Sequence, residues 1–111
     1  MSIITRFRGD TRADIINVIS KSTKAAVNVS GGSFKLTVDT EENPTSAANN
    51  LFSLTGVILD PATGKVSFTP TAEQADQVPE TYYFDIQFID AAGTIETLGK
   101  DKYIFTQDVT K

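Results

Sequence analysis

The sequence predicts an all-β fold, an antiparallel β-sandwich of about seven or eight short strands. Three observations predict it. Apolar residues recur with a period of two, the spacing that loads one face of a strand. Turn residues, mostly Gly, Pro and Asp, interrupt these runs at short intervals. A single short segment has helical character, and prolines bracket it.

Taken in order, Ile3 and Phe7 form a weak first alternation, which places Arg6 and Arg8 together on the opposite, outward side. Gly9 and Asp10 follow as a turn, with Asp10 suited to bonding backbone two residues on. Val27 and Val29 make a short piece before the Gly31-Gly32 turn. Phe34, Leu36 and Val38 then alternate with Lys35, Thr37 and Asp39. Residues 40–50 are the longest polar stretch, without strand periodicity, and read as a solvated connector. Phe52, Leu54 and Ile58 share one register with Gly56 between them.

Asp60-Pro61-Ala62-Thr63-Gly64 offers a fixed φ and a left-handed residue, which suits a hairpin loop. Val66 and Phe68 continue inward beyond it. Residues 71–76 are the helix candidate, held to at most two turns by Pro70 and Pro79. Tyr82, Phe84, Ile86 and Phe88 give the clearest alternation, with Tyr83 outward, and the turn through Asp90 and Gly93 ends it. Tyr103-Ile104-Phe105 reads as a last strand whose inward face the pattern leaves open.

The chain has 111 residues, the size of one domain, and no linker divides it, so residues 1–111 are read as a single domain. The net charge of −4 argues against nucleic acid as a partner. The charge is also unevenly placed. All three arginines, Arg6, Arg8 and Arg12, lie in the first twelve residues, while residues 51–111 carry four Lys and nine Asp/Glu, a net of −5. No apolar run is long enough for a signal peptide or a membrane span, so a soluble protein without a membrane partner, made in a cytoplasm, is expected.

Chemistry is poorly provided for. With no Cys and no His, zinc lacks its usual ligands and a serine nucleophile lacks its usual base. Asp60 and Gly64 do not fit a calcium loop, and Ser30-Gly31-Gly32-Ser33 lacks the Lys and following helix of a phosphate loop. No enzyme activity, cofactor or metal is expected. Arg8-Gly9-Asp10 spells an integrin-type tripeptide, but it reads better as a turn between strands. Asn28-Val29-Ser30 is a formal glycosylation sequon that has no meaning without secretion.

Three stretches carry a resemblance. They are Phe7-Arg8-Gly9-Asp10-Thr11; Gly64-Lys65-Val66-Ser67-Phe68-Thr69-Pro70-Thr71 with Ala72-Glu73-Gln74-Ala75; and Tyr82-Tyr83-Phe84-Asp85-Ile86-Gln87-Phe88 with Gly93, Thr97, Tyr103-Ile104-Phe105 and Asp108-Val109-Thr110. In this order the chain resembles the immunoglobulin-like domain that opens phage baseplate upper proteins and recurs in tail and neck proteins. Between Asp14 and Asn50 it departs from that family, being longer and more polar than the usual short hairpin. Family proteins continue into further domains, so a free-standing copy is expected here.

The resemblance implies an immunoglobulin-like sandwich and a non-enzymatic virion protein. Its partners would be other virion proteins and copies of itself, on a tail, neck or baseplate. A capsid decoration protein and a carbohydrate- or receptor-binding module are the alternatives, the latter resting on the outward Tyr83. The expected partner interface is Arg6, Arg8 and Arg12, facing outward from the first strand and its turn to meet an acidic surface on a neighbouring subunit.

Overall fold

The computed structural model describes residues 3–18, 25, 27–46, 48 and 50–107. Among them are eight strands and one helical turn. The strands are β1 (Ile4–Phe7), β2 (Asp14–Asn17), β3 (Ser33–Asp39), β4 (Asn50–Thr55), β5 (Val57–Asp60), β6 (Lys65–Phe68), β7 (Thr81–Ile89) and β8 (Ile95–Thr106), and the helix is α1 (Ala72–Ala75). A five-stranded sheet in the order β1-β8-β7-β3-β4 packs on a three-stranded sheet in the order β2-β6-β5. The split of β3, β7 and β8 from β2, β5 and β6 follows the immunoglobulin scheme, but β1 joins β8 rather than β2. The predicted all-β sandwich is therefore the observed architecture.

The alternation in β3, β6 and β7 sets the core. Phe34, Leu36, Val38, Val66, Phe68, Tyr82, Phe84 and Ile86 are buried, and Phe88 is half-buried with its ring stacked 4.8 Å from that of Phe34. Tyr103 and Phe105 are the inward residues of β8, and their rings meet Phe52, Tyr82 and Phe84 edge-on. Tyr82 also closes the corner that leads into β7, its hydroxyl donating to the Val78 carbonyl at 2.8 Å. Such a tyrosine corner belongs to immunoglobulin-type sandwiches.

The turns and the helix follow local chemistry. Thr71 caps α1, its Oγ1 accepting from the Gln74 N–H while the Gln74 side chain accepts from the Thr71 N–H, a complete capping box. The β5–β6 hairpin turns through Gly64, whose φ of +68° favours glycine. Any side chain there would also stand 2.8 Å from the Val27 carbonyl and 2.9 Å from that of Val18. The Asp90 carboxylate accepts from the N–H groups of Ala92 and Thr94 and closes the β7–β8 turn. Residues 40–46, the described beginning of the polar stretch, form an irregular exposed segment. Val27 and Val29 form no strand, but each donates one backbone bond, to Val18 and Pro61.

Three expectations need correction. The sandwich is not wholly antiparallel, because β1 pairs with β8 in parallel, Ile4 opposite Tyr103 and Phe7 opposite Thr106. The first strand joins the free edge of the last one and runs in the same direction. Phe52, Leu54 and Ile58 do face inward, but they belong to two strands in different sheets. The chain crosses at Gly56, where a Cβ would lie 2.8 Å from both Phe34 Cβ and Val66 Cγ1. The register of two persists through the crossing, so the sequence shows no break.

The third correction concerns β1. Ile3 and Phe7, expected inward, are 54% and 53% exposed, while Arg6, expected outward, is 2% exposed. The strand therefore turns Ile4 and Arg6 inward. An arginine takes this position because every face of its guanidinium finds an acceptor, as the next section details.

Candidate docking surfaces

The three arginines expected to form one outward patch go to three different places. Arg6 lies between the sheets. Its Nε donates to the Tyr103 hydroxyl at 2.9 Å, its Nη1 to the Asp10 carbonyl at 2.9 Å, and its Nη2 to the Arg12 carbonyl at 2.7 Å and to Asp14 Oδ2 at 2.5 Å. Asp14 opens β2, so this ion pair ties the edge of one sheet to the edge of the other. Burial works against the Arg6 charge, but the Tyr103 oxygen and Asp14 outweigh it, and its pKa lies above the ordinary value. Burial, reinforced by the Asp14 charge, pushes the Tyr103 phenol up to about 12 although Arg6 pulls it down. At neutral pH Arg6 is therefore a cation and Tyr103 a neutral phenol, and with Asp14 they are used within the fold.

Arg8 is pinned differently. Its Nε meets Asp76 Oδ1 at 2.6 Å beyond the end of α1, and the neighbouring Gly9 N–H donates to the Ala75 carbonyl. The Asp10 N–H bonds to the Phe7 carbonyl at 3.1 Å, so backbone closes this turn, rather than the expected Asp10 side chain. Arg12 is the free-standing one, its side chain 68% exposed, with a 3.3 Å bond to the Thr5 carbonyl and Asp14 only at 4.0 Å. Arg6 is thus unavailable to a partner, and Arg8 and Arg12 do not present a common face with it.

The outer face of the three-stranded sheet has a different character. Ile15 on β2 and Val57 on β5 both pair with Ser67 on β6, so the three form one row across the sheet. Ile15, Val57 and the adjacent Leu59 are all exposed, and Ser67 is covered between its two neighbours. The next row, Asn17, Lys65 and Asp60, is polar. An apolar centre beside a polar border is how a protein interface is commonly laid out.

The centre of the outer face of the five-stranded sheet is polar, while Ile89 and Ile95 lie at one end of it and Phe7 at the β1 edge. Its rows run Thr55, Lys35, Gln87, Thr97; then Ser53, Thr37, Asp85, Lys100; then Asn50, Asp39, Tyr83, Lys102. Tyr83 is outward, as the alternation predicts, and half-buried. Residues 41–46 border this face and form with it a cavity of about 380 Å³. Lys100 reaches the border by donating to Asn43 Oδ1. Asp85 sits between the lysines. Burial raises its pKa, and Lys100 and Lys35 act against that shift.

Asp39 is the unusual member. It is 4% exposed, its Oδ1 accepts from the Glu41 N–H at 2.8 Å, and its Oδ2 is buried without a hydrogen-bond partner among the described residues. The alternation does place it outward. It sits at a bulge in the β3–β4 pairing, where the Glu41 N–H turns back onto it, and the sequence carries no signal for that irregularity. Arg6 had a faint signal, the acid Asp14 at the start of the short strand whose middle is Ile15-Ile16.

Among the described residues no three Asp or Glu side chains are grouped to hold a metal ion, and none of the helices is long and apolar enough to cross a membrane. No protein-family model matches this chain, and no curated protein sequence matches it.

Proposed function

We propose that this domain is a non-enzymatic structural component of a bacteriophage particle, docking onto a tail, neck or baseplate assembly beside copies of itself. The observation that carries the docking is the exposed row of Ile15 and Val57, with Leu59, on the three-stranded sheet. About half of each residue's surface remains to be covered, so burial in an interface contributes about 0.8–1.5 kcal/mol per side chain. A ring or shell repeats that contact, so a weak single interface suffices for a stable assembly. The phage context rests on the resemblance of the Phe7, Gly64 and Tyr82 stretches to the immunoglobulin-like domains of tail proteins.

The test combines location with mutation. The domain is sought in purified particles, and Ile15→Glu with Val57→Glu is introduced. Both residues are exposed, so the isolated variant should keep its stability within about 0.5 kcal/mol. Its incorporation into particles should fall sharply. Absence of the wild-type domain from particles, or normal incorporation of the variant, overturns the reading. A copy number matching the capsid lattice assigns the domain to capsid decoration instead.

A further inference from the structure

We propose that the cavity on the outer face of the five-stranded sheet is a binding site for a cationic side chain, guanidinium or ammonium, presented by a partner protein, with Asp39 as its acceptor. The inference rests on the docking function above only in taking the partner to be a protein. It uses the opposite face of the sandwich from the Ile15 row.

Three observations lead to it. First, Asp39 is nearly buried, lines the cavity, and leaves Oδ2 unpaired among the described residues. A buried carboxylate oxygen without a donor is costly, and native structures rarely leave one so. Second, the cavity wall carries Asp39, Glu41, Glu42 and Asp85 against Lys35 and Lys100, four acids to two bases. Lys100 is the cross-strand neighbour of Asp85, while Glu41 and Glu42 follow Asp39 along the chain, so the acids gather at the Asp39 end. Third, Tyr83 is the cross-strand partner of Asp39 and lines the same cavity.

A carboxylate only accepts hydrogen bonds, so the missing group is a donor. A neutral hydroxyl would supply the bond but leave the charge unbalanced. A guanidinium or ammonium supplies both, and an aromatic ring adjacent to the carboxylate favours a cation further. A cavity of about 380 Å³ has room for such a head group. Oδ2 is itself covered, so engagement includes a local opening of the exposed 40–46 segment.

Amide shifts of the 15N-labelled chain under titration provide the test. The probes are N-acetyl-arginine amide, butylamine, and the N-acetyl-citrulline amide, which matches the arginine in shape without its charge. The arginine or the amine probe should shift the amides of Asp39, Tyr83 and Asp85, and the two cations compared show which head group fits. The citrulline probe should bind at least about tenfold more weakly. Asp39→Asn should weaken cation binding by a similar factor without lowering the melting temperature. Glu41→Gln with Glu42→Gln, both at exposed positions, should weaken it several-fold and keeps the test alive if Asp39→Asn disturbs the fold. No shift from either cation up to about 10 mM, or shifts unchanged in both variants, overturns the proposal. So does a response to Ca²⁺ or to neutral oligosaccharides in place of the cations. Particle incorporation reports on the Ile15 face, so the two readings fail separately.

Discussion

Replacing Arg6 by Met keeps the length and apolar stem of the side chain and removes its charge. In the structure this strips Asp14, whose side chain is largely shielded, of its 2.5 Å ion-pair partner. It also removes the donor to the Tyr103 hydroxyl and to the Asp10 and Arg12 carbonyls. Those two carbonyls belong to exposed residues, where water can replace the lost donor. The dominant loss is the buried pair, and removing one partner of such a pair costs about 3–5 kcal/mol. That is a large share of a domain stability of about 5–15 kcal/mol. By contrast, the Arg8–Asp76 pair is exposed, so Arg8→Met should cost about 0–1 kcal/mol. Urea unfolding followed by circular dichroism measures both, with the dependence on urea checked for equality between variants. Arg6→Lys should fall between wild type and Arg6→Met, because one ammonium cannot serve four separated acceptors. A cost below about 1 kcal/mol for Arg6→Met, or a cost no larger than that of Arg8→Met, would refute the burial of Arg6 and restore the outward strand face that simple alternation implies.

Three further outcomes are expected. The Tyr103 phenol has its pKa raised from 10.0 to about 12, so the fold favours its neutral form; that stability is complete below pH 10 and is lost as pH rises toward 12. That difference corresponds to a few kcal/mol, on the order of 2–3, and urea midpoints measured across that window should fall, with Tyr103→Phe removing this part of the slope; a flat profile contradicts the burial of the phenol. Gly56→Ala forces a Cβ into 2.8 Å contact with Phe34 and Val66 at the sheet crossing, and thermal melting should show overpacking of about 1–3 kcal/mol, whereas an unchanged midpoint would mean a looser crossing. Tyr82→Phe removes the hydroxyl bonded to the Val78 carbonyl and should cost about 1 kcal/mol by urea unfolding; a neutral result would show that the corner contributes nothing to stability.

Local pattern determined much of this protein. Alternation in Phe34 to Val38 and in Tyr82 to Ile86 marks which side chains enter the core, because the pleat sends neighbours to opposite faces whatever the strand pairs with. Residues 71–76 between Pro70 and Pro79, and Asp60 with Gly64, mark a short helix and a hairpin, since those signals span only a few residues. Tertiary structure decided the rest. Which edge β1 joined, and hence which of its faces turned inward, depended on Tyr103 and Asp14, far away in sequence or in another strand, being able to satisfy a guanidinium. The crossing at Gly56 left no local trace because the register of two continues from one sheet into the other. Asp39 carries the parity of an outward residue, yet it is buried at a bulge in the β3–β4 pairing, where the Glu41 N–H turns back onto its carboxylate. Charges and glycines have meaning through what surrounds them, and a strand's alternation specifies two faces without specifying which one meets the core.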